Sequence, residues 1–413
     1  MRVLHLNTHD ANGGAARAAY RLHLGLRDAG VDSQFLVQSK TSDDPCVLGP
    51  TTAPQKVWAK IRPRLDAMPV RFYPNRENVI YSSAIVPDRI VKKVNALAPN
   101  VVHLHWVLGG FLRIETLKKI KRPIIWTLHD MWPFTGGCHY DEDCGRYRDS
   151  CGQCPALGSS RSHDISRWIW TRKAHSWSGV EMIVVAPSRW LAACAKESAL
   201  FRRHRIEIIP NGLDLDRFKP IDKVLARALW SMPPHKRLIL FGAMNAGTDE
   251  RKGLDALRRA LTKIAAMTIG KECIVCVFGA SRPTQSPDLG LETRYLGVLH
   301  DDVSLASLYS AVDVFVAPAR QDNLPNTVME ALACGTPCVA FDIGGMPDMI
   351  EHQRTGYLAK PFDSNDLANG IEWVLQSRGP SGSPAWQTRE KVEAEFSIQR
   401  MTNRYMSLYE EVQ

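Results

Sequence analysis

No apolar run in this chain approaches the ~18 residues of a membrane-spanning helix, so no spanning segment is expected. The N-terminus, MRVLHLN, enters a strand-like pattern at once, without the charged-then-apolar run of a signal segment, and the expected compartment is the cytoplasm. There is no G-x-G-x-x-G, so a nicotinamide dinucleotide is poorly supported. No Asp-x-Asp stands at a strand end to hold a divalent ion on a diphosphate, and no cofactor is expected to be required for chemistry. Ten cysteines in a reducing compartment argue against a disulfide framework. Negative charge is the scarcer sign: 43 Asp and Glu against 52 Lys and Arg leave +9, which suits a nucleotide, a nucleic acid or an anionic lipid surface without choosing among them.

What is present reads as ordinary globular protein, 45% hydrophobic and 23% charged over 413 residues, enough for two cores. RVLHLN (2–7) ends in a loop at 9–14, and a helix pattern runs from 15 to 29. DSQFLVQ, VVHLH (101–105), PIIWTLH (123–129), MIVVAPS and IEIIP (206–210) follow as short apolar runs alternating with helices. The alternation restarts with RLILFGA (237–243), a helix from about 253 to 266, then CIVCVFGA, RYLGV, VFVAPA (314–319) and PCVAFD. Such alternation predicts parallel sheets covered on both faces: an α/β protein of two doubly wound domains, residues 1–212 and 213–377. SRGPSGSP (377–384) is a flexible break, and 385–413 is expected to be helical and to pack back on the first domain. Loops after strands should carry the chemistry.

The loop and helix 320–340, RQDNLPNTVMEALACGTPCVA, set Asp322 and Glu330 eight residues apart around a helix expected over 326–333. The helix start offers unpartnered amides and the positive end of a dipole to a phosphate. Thr327 followed three residues on by Glu330 also has capping-box spacing, which would account for the glutamate without a ligand. That reading leaves Asp322 and the Cys334-Gly335-Thr336-Pro337 turn unaccounted for.

DNLPNTVMEALACGTPCVA resembles the acid-x7-acid signature of the family 4 retaining glycosyltransferases, which have the two-domain GT-B fold. GGAARAA, TLHD, APS, IPNGLDLDRFKP and RKG stand in the order of the same pattern. The resemblance implies two Rossmann-like domains facing across a cleft and transfer of a hexose from a UDP- or GDP-type sugar to a saccharide hydroxyl. Glu330 would bond the ribose hydroxyls, a carboxylate accepting from both members of a vicinal diol. Asp322, a glutamate in most of the family, would meet the transferred sugar. Asn323, Leu324, Asn326 and Thr327 would line the donor loop with backbone amides, and Lys252, with Arg251 beside it, would neutralise the leaving diphosphate. The family commonly carries an arginine just after the glycine of FGA, where this chain has Ala243. Gly13 and Gly14 allow a backbone to approach the ligand. His129, at the end of a strand, is assigned to positioning and charge stabilisation, since in a retaining transfer the diphosphate itself can take the acceptor's proton. Many relatives extend polyprenyl-linked saccharides for exopolysaccharide, so a lipid-linked acceptor is the expected partner and nucleic acid is not.

Two segments mix cations with aromatics, 56–76 and 166–177, and each reads equally as an anionic-membrane surface or as a solvated basic face with its tryptophans in the core. Cys138, Cys144, Cys151 and Cys154 crowd one loop, 136–158, in the pattern of a thiolate clip for structural zinc, with His139 in place of one thiol, an iron–sulfur cluster or four free thiols as alternatives. A nucleotide-sugar epimerase and a non-catalytic sugar-binding protein stay open as rival functions.

Overall fold

The computed structural model describes residues 1–242, 250–279, 288–299, 301–377 and 384–413, with the backbone alone for 384–386. Ala243 and most of the 377–384 break lie outside the described residues. The chain divides into two compact units, Met1–Gly212 with Ile398–Gln413, and Leu213–Ser397.

In the first unit seven parallel strands run in the order β3-β2-β1-β4-β5-β6-β7. They are β1 (Arg2–His9), β2 (Asp32–Ser39), β3 (Val47–Leu48), β4 (Val101–Leu104), β5 (Ile124–Thr127), β6 (Met182–Ala186) and β7 (Arg205–Ile208). The second unit has β8 (Arg237–Gly242), β9 (Cys273–Phe278), β10 (Glu292–Tyr295), β11 (Val314–Ala317), β12 (Cys338–Phe341) and β13 (Gly356–Ala359), ordered β10-β9-β8-β11-β12-β13. β4, β5, β9, β11 and β12 are buried at every position, as strands covered on both faces must be. Strand order reverses between β1 and β4 and again between β8 and β11. In an open parallel sheet the loops leaving that reversal diverge and leave room for a ligand.

Each sheet carries a core on either face. In β9, Cys273 faces the core of Leu257, Leu261 and Ile371, while Cys276 faces that of Leu308, Phe315 and Met329. Both thiols are buried, as alternation within a covered strand requires.

The C-terminal segment corrects one expectation. It is two helices, and they part company. Helix Pro384–Glu395 stays with the second unit, where Arg389 donates to the carbonyls of Phe218 and Ala333. Only helix Ile398–Glu411 packs on the first, burying Met401, Tyr405, Leu408 and Tyr409 against Val3, Val101 and Ile125.

Candidate functional site

The loops leaving β8 and β11 bring the expected donor residues of the second unit together. Glu250–Lys252 forms a single 3-10 turn, so Lys252 precedes helix Leu254–Ala266 rather than opening it. Between them Gly253 takes φ +71°, and a Cβ there would lie 1.8 Å from the Pro318 carbonyl oxygen. Only glycine lets the two loops come this close. The approach is fixed by the Arg320 amide donating to the Arg251 carbonyl at 2.8 Å and by Arg251 Nη1 donating to the Gln321 carbonyl at 2.8 Å.

Lys252 Nζ then reaches Asp322 Oδ2 at 2.9 Å, with Arg251 Nη1 at 3.6 Å from the same oxygen. Burial works to raise the Asp322 carboxyl, but the Lys252 and Arg251 charges and the Asn323 amide (2.9 Å) hold it below the usual carboxylate value. The carboxylate therefore stays ionised and aligns two cations at the strand switch.

Helix Asn326–Ala333 follows, capped by Pro325 without a side-chain hydrogen bond. Thr327 lies inside the helix, not at its cap, so the capping-box reading of Thr327 and Glu330 fails. Glu330 is instead 2% exposed, and the Tyr309 hydroxyl donates to its Oε2 at 3.3 Å. Tyr309 is aimed by edge contacts with Phe278 and Phe315. Asn323 and Leu324 are buried, with Leu324 in the core, so any donor contact of Leu324 is through its backbone.

In the first unit, Gly13 caps helix Gly14–Asp28 with φ +91° and no side-chain bond, and a Cβ there would meet nothing within 4 Å. Asp10 anchors this loop by accepting from the amides of Thr41 and Ser42 at 2.8 and 2.7 Å.

His129 stands two residues beyond β5 and is half-buried; burial lowers it to about 4. Its Nε2 lies 3.2 Å from His105 Nδ1, and His105 Nε2 lies 3.0 Å from His5 Nδ1. Beside this row, His103 bonds Tyr409 Oη at 2.6 Å through Nδ1 and Thr127 Oγ1 at 2.7 Å through Nε2, and Thr127 meets Tyr405 Oη at 2.7 Å. Sequence reasoning named His129 and missed the rest. The signal was there: 5, 103, 105, 127 and 129 are alternate positions on β1, β4, β5 and their extensions, hence on one sheet face. Burial, then the neighbouring imidazoles, holds His5, His103 and His105 well below the ordinary histidine value. Asp130 is structural, accepting from Trp106 Nε1 and the Trp132 amide at 2.7 and 2.9 Å.

His5, His103 and His105 are also the one group of three metal-capable side chains, among the described residues, with ligand atoms within 4.8 Å of one another. Their hydrogen bonds already use both nitrogens of His103 and His105, and no carboxylate belongs to the group to offset a cation's charge. They form a neutral bonded cluster.

The four cysteines are not drawn that close. They line one cavity of about 20 Å³ together with Thr135, Asp141 and Arg146. Burial raises all four thiols above the ordinary cysteine value, and hydrogen bonds from the amides of Arg146, Gly136 and Leu157 to Cys144, Cys151 and Cys154 only partly offset it.

Of the two cationic-aromatic segments, 166–177 is partly core. In helix Ile165–Trp177, Ile169 and Lys173 are wholly buried and Trp177 nearly so. Lys173 Nζ donates to the Thr135 and Trp132 carbonyls and sits 3.7 Å from the Trp132 ring centre. Trp168 of the same helix is 49% exposed, so the core accounts for only part of this segment. The other segment is different: helix Ala53–Ala67 and the turn Met68–Phe72 leave Val57, Trp58, Ile61, Met68 and Phe72 exposed.

Comparison with known proteins agrees with this layout. Residues 12–217 match the family described as Glycosyltransferase Family 4, and 235–377 match Glycosyl transferases group 1. Among curated proteins, a D-inositol 3-phosphate glycosyltransferase 2 of Catenulispora acidiphila is 30% identical over 218 residues, 48% of this chain and 50% of that one. A D-inositol 3-phosphate glycosyltransferase of Mycobacterium bovis is 29% identical over 50% of this chain and 43% of its own. These matches thus span half the relatives' length or less. Among solved structures, sucrose-phosphate synthase from Thermosynechococcus elongatus superposes with TM-score 0.72 at 20% identity, covering 99% of this chain and 98% of that one. HepE of Anabaena in complex with UDP-glucose gives 0.64 at 15% identity over 100% of both. At such identity the likeness establishes the GT-B fold and nothing finer.

Proposed function

Because the chain belongs to the family 4 glycosyltransferases, we propose that it moves a hexose from a nucleoside-diphosphate sugar to a saccharide hydroxyl, with retention at the anomeric carbon. One observation carries the reading: Lys252, Arg251 and Asp322 converge at the β8/β11 switch, just before the helix that carries Glu330. Lys252 and the amides of Asn326 and Thr327 take the diphosphate, whose charge grows as the glycosidic bond breaks. Glu330, fixed by Tyr309, accepts from the ribose diol. Asp322 holds the cations until the donor arrives and then faces the sugar. His129 on the first unit positions reacting groups.

UDP is the first donor to test, since HepE was solved with UDP-glucose. A lipid-linked saccharide of exopolysaccharide synthesis is the proposed acceptor, and the exposed apolar face at 57–72, flanked by Lys56, Lys60, Arg64 and Arg71, supports residence on an anionic bilayer. Thermal-shift titration with UDP, GDP and ADP identifies the nucleotide, because a ligand of the native state raises its melting temperature. Acceptor-dependent release of that diphosphate, with phosphorylated polyols included because of the curated relatives' names, then separates transfer from epimerisation. No stabilisation by any nucleotide would refute the reading.

We also propose that the cysteine cavity binds one structural zinc, with Cys138, Cys144, Cys151 and Cys154 closing on it and three backbone amides stabilising the thiolates. The loop around them is irregular, with φ positive at Glu142, Asp143, Cys151 and Gln153, and gains most from such a clip. About one zinc per chain by elemental analysis of tag-free protein is expected, and its loss in Cys151→Ser/Cys154→Ser. Metal-free, fully folded wild type would end the idea.

A further inference from the structure

The row His5–His105–His129 carries information about which nitrogen of His129 holds its proton. A neutral imidazole has one N–H and one lone pair. His105 is bonded at both nitrogens, to His5 and to His129, so the three rings must donate in one direction. If His129 Nε2–H donated inward, the chain would end on His5 with an Nε2–H. That atom is buried and has no hydrogen-bond partner. If instead His5 Nδ1–H donates outward, the unpartnered His5 Nε2 carries only a lone pair. Buried orphan donors are rarer and costlier than orphan acceptors. The second direction is therefore favoured.

We propose that His5 and His105 are positioning residues that hold His129 as its Nδ1–H tautomer, so that the ring at the end of β5 acts as a hydrogen-bond donor through Nδ1 and not as a base there. The second row supports the first: helix Ile398–Glu411 brings Tyr409 and Tyr405 onto His103 and Thr127, and the His103 ring lies 4.1 Å from that of His105. His5 itself is walled by the Phe35 ring at 5.8 Å. A donor at Nδ1 suits a hydroxyl or carbonyl oxygen of a bound sugar and a developing negative charge alike. This use of the tautomer rests on the proposed glycosyl transfer; the tautomer itself does not.

The test reads the two separately. The full chain is labelled with 15N-histidine and His129 is assigned by the signals lost in His129→Gln. Without any nucleotide, its Nδ1 should give the signal of a protonated nitrogen and its Nε2 that of a bare one. His105→Leu leaves His129 Nε2 without its donor and should give His129 mixed tautomer signals, with kcat down several-fold and the donor KM unchanged. His105→Asn, whose amide N–H stands near the place of Nδ1–H, should restore both. His5→Leu only moves the orphan lone pair to His105 Nε2 and should leave the His129 tautomer as it is. A wild-type His129 protonated at Nε2 would overturn the proposal, as would His129 signals untouched by a folded His105→Leu. Should His105→Leu fail to fold, the wild-type spectrum and His105→Asn decide alone. The expected tautomer in a protein without transferase activity would refute the proposed function and leave this inference standing.

Discussion

Lys252 shares one carboxylate oxygen with Arg251, and that sharing decides what each substitution should do. Lys252 is 28% exposed and supports no core, so Lys252→Ala should fold normally and lower turnover by about 100-fold through lost transition-state charge stabilisation. Near-normal turnover in the purified variant would remove Lys252 from the mechanism. Asp322→Asn acts oppositely on binding. It leaves two cations without their carboxylate, so free nucleoside diphosphate should bind several-fold more tightly, by calorimetry, while transfer falls. Weaker binding would mean that Asp322 organises the cations instead of competing with the diphosphate for them. Glu330→Gln keeps the shape but loses a charged acceptor, and the donor KM should rise roughly tenfold with a smaller change in kcat. Asp322 and Glu330 were legible because their spacing brackets a helix start. What held Glu330 in place was not: Tyr309 lies 21 residues upstream, and its role depends on two aromatic edges from different strands.

Strands and helices were read well where burial made the pattern simple. Fully covered strands must be apolar throughout, so β4, β5, β11 and β12 stood out as short runs, and helix Asn326–Ala333 fell at the expected residues. Edge strand β3, two residues long, has too little sequence to show a period. The C-terminal helices were misjudged because composition shows that a segment is helical but not which core receives it. Among the described residues, the chain passes from one unit to the other at Ser397, where Leu213 pairs with it. Helix Ile165–Trp177 is harder to read from composition: of its three tryptophans Trp177 is buried and Trp168 is 49% exposed, and Lys173 uses carbonyls as its acceptors. Helix Ala53–Ala67 keeps its apolar residues outside, with Trp58 at 44% and Phe72, in the turn beyond it, at 81% exposure. Phe72→Glu/Trp58→Glu should therefore abolish co-sedimentation with anionic vesicles at moderate salt while leaving nucleotide binding intact. Equal sedimentation of variant and wild type would show that this face serves something other than a bilayer.

At the scale of the molecule, the histidine rows make the two units unequal in acid. His5, His103 and His105 lie well below the ordinary value of 6.5, and burial holds His23 and His129 at about 4. All five belong to the first unit. Folded, they stay neutral; unfolded, each takes a proton near pH 6.5, so between pH 6.5 and 4 the unfolded state binds more protons. Stability must then fall as pH falls, by about 1.4 kcal/mol per pH unit for each proton taken up. Asp10, Asp44 and Asp322 have depressed values, so their contributions fade only below the ordinary carboxylate range and do not enter this window. Eight of the eleven tryptophans are in residues 1–212, so fluorescence reports chiefly on the first unit. Urea unfolding followed by tryptophan emission should show its midpoint dropping steeply from pH 7 to pH 5. Replacing His5 with leucine removes one of the protons and should flatten that slope, even where it lowers stability at pH 7. An unchanged midpoint across this range would mean that the buried imidazoles already carry protons when folded, which would also dissolve the one-way hydrogen-bond row ending at His129.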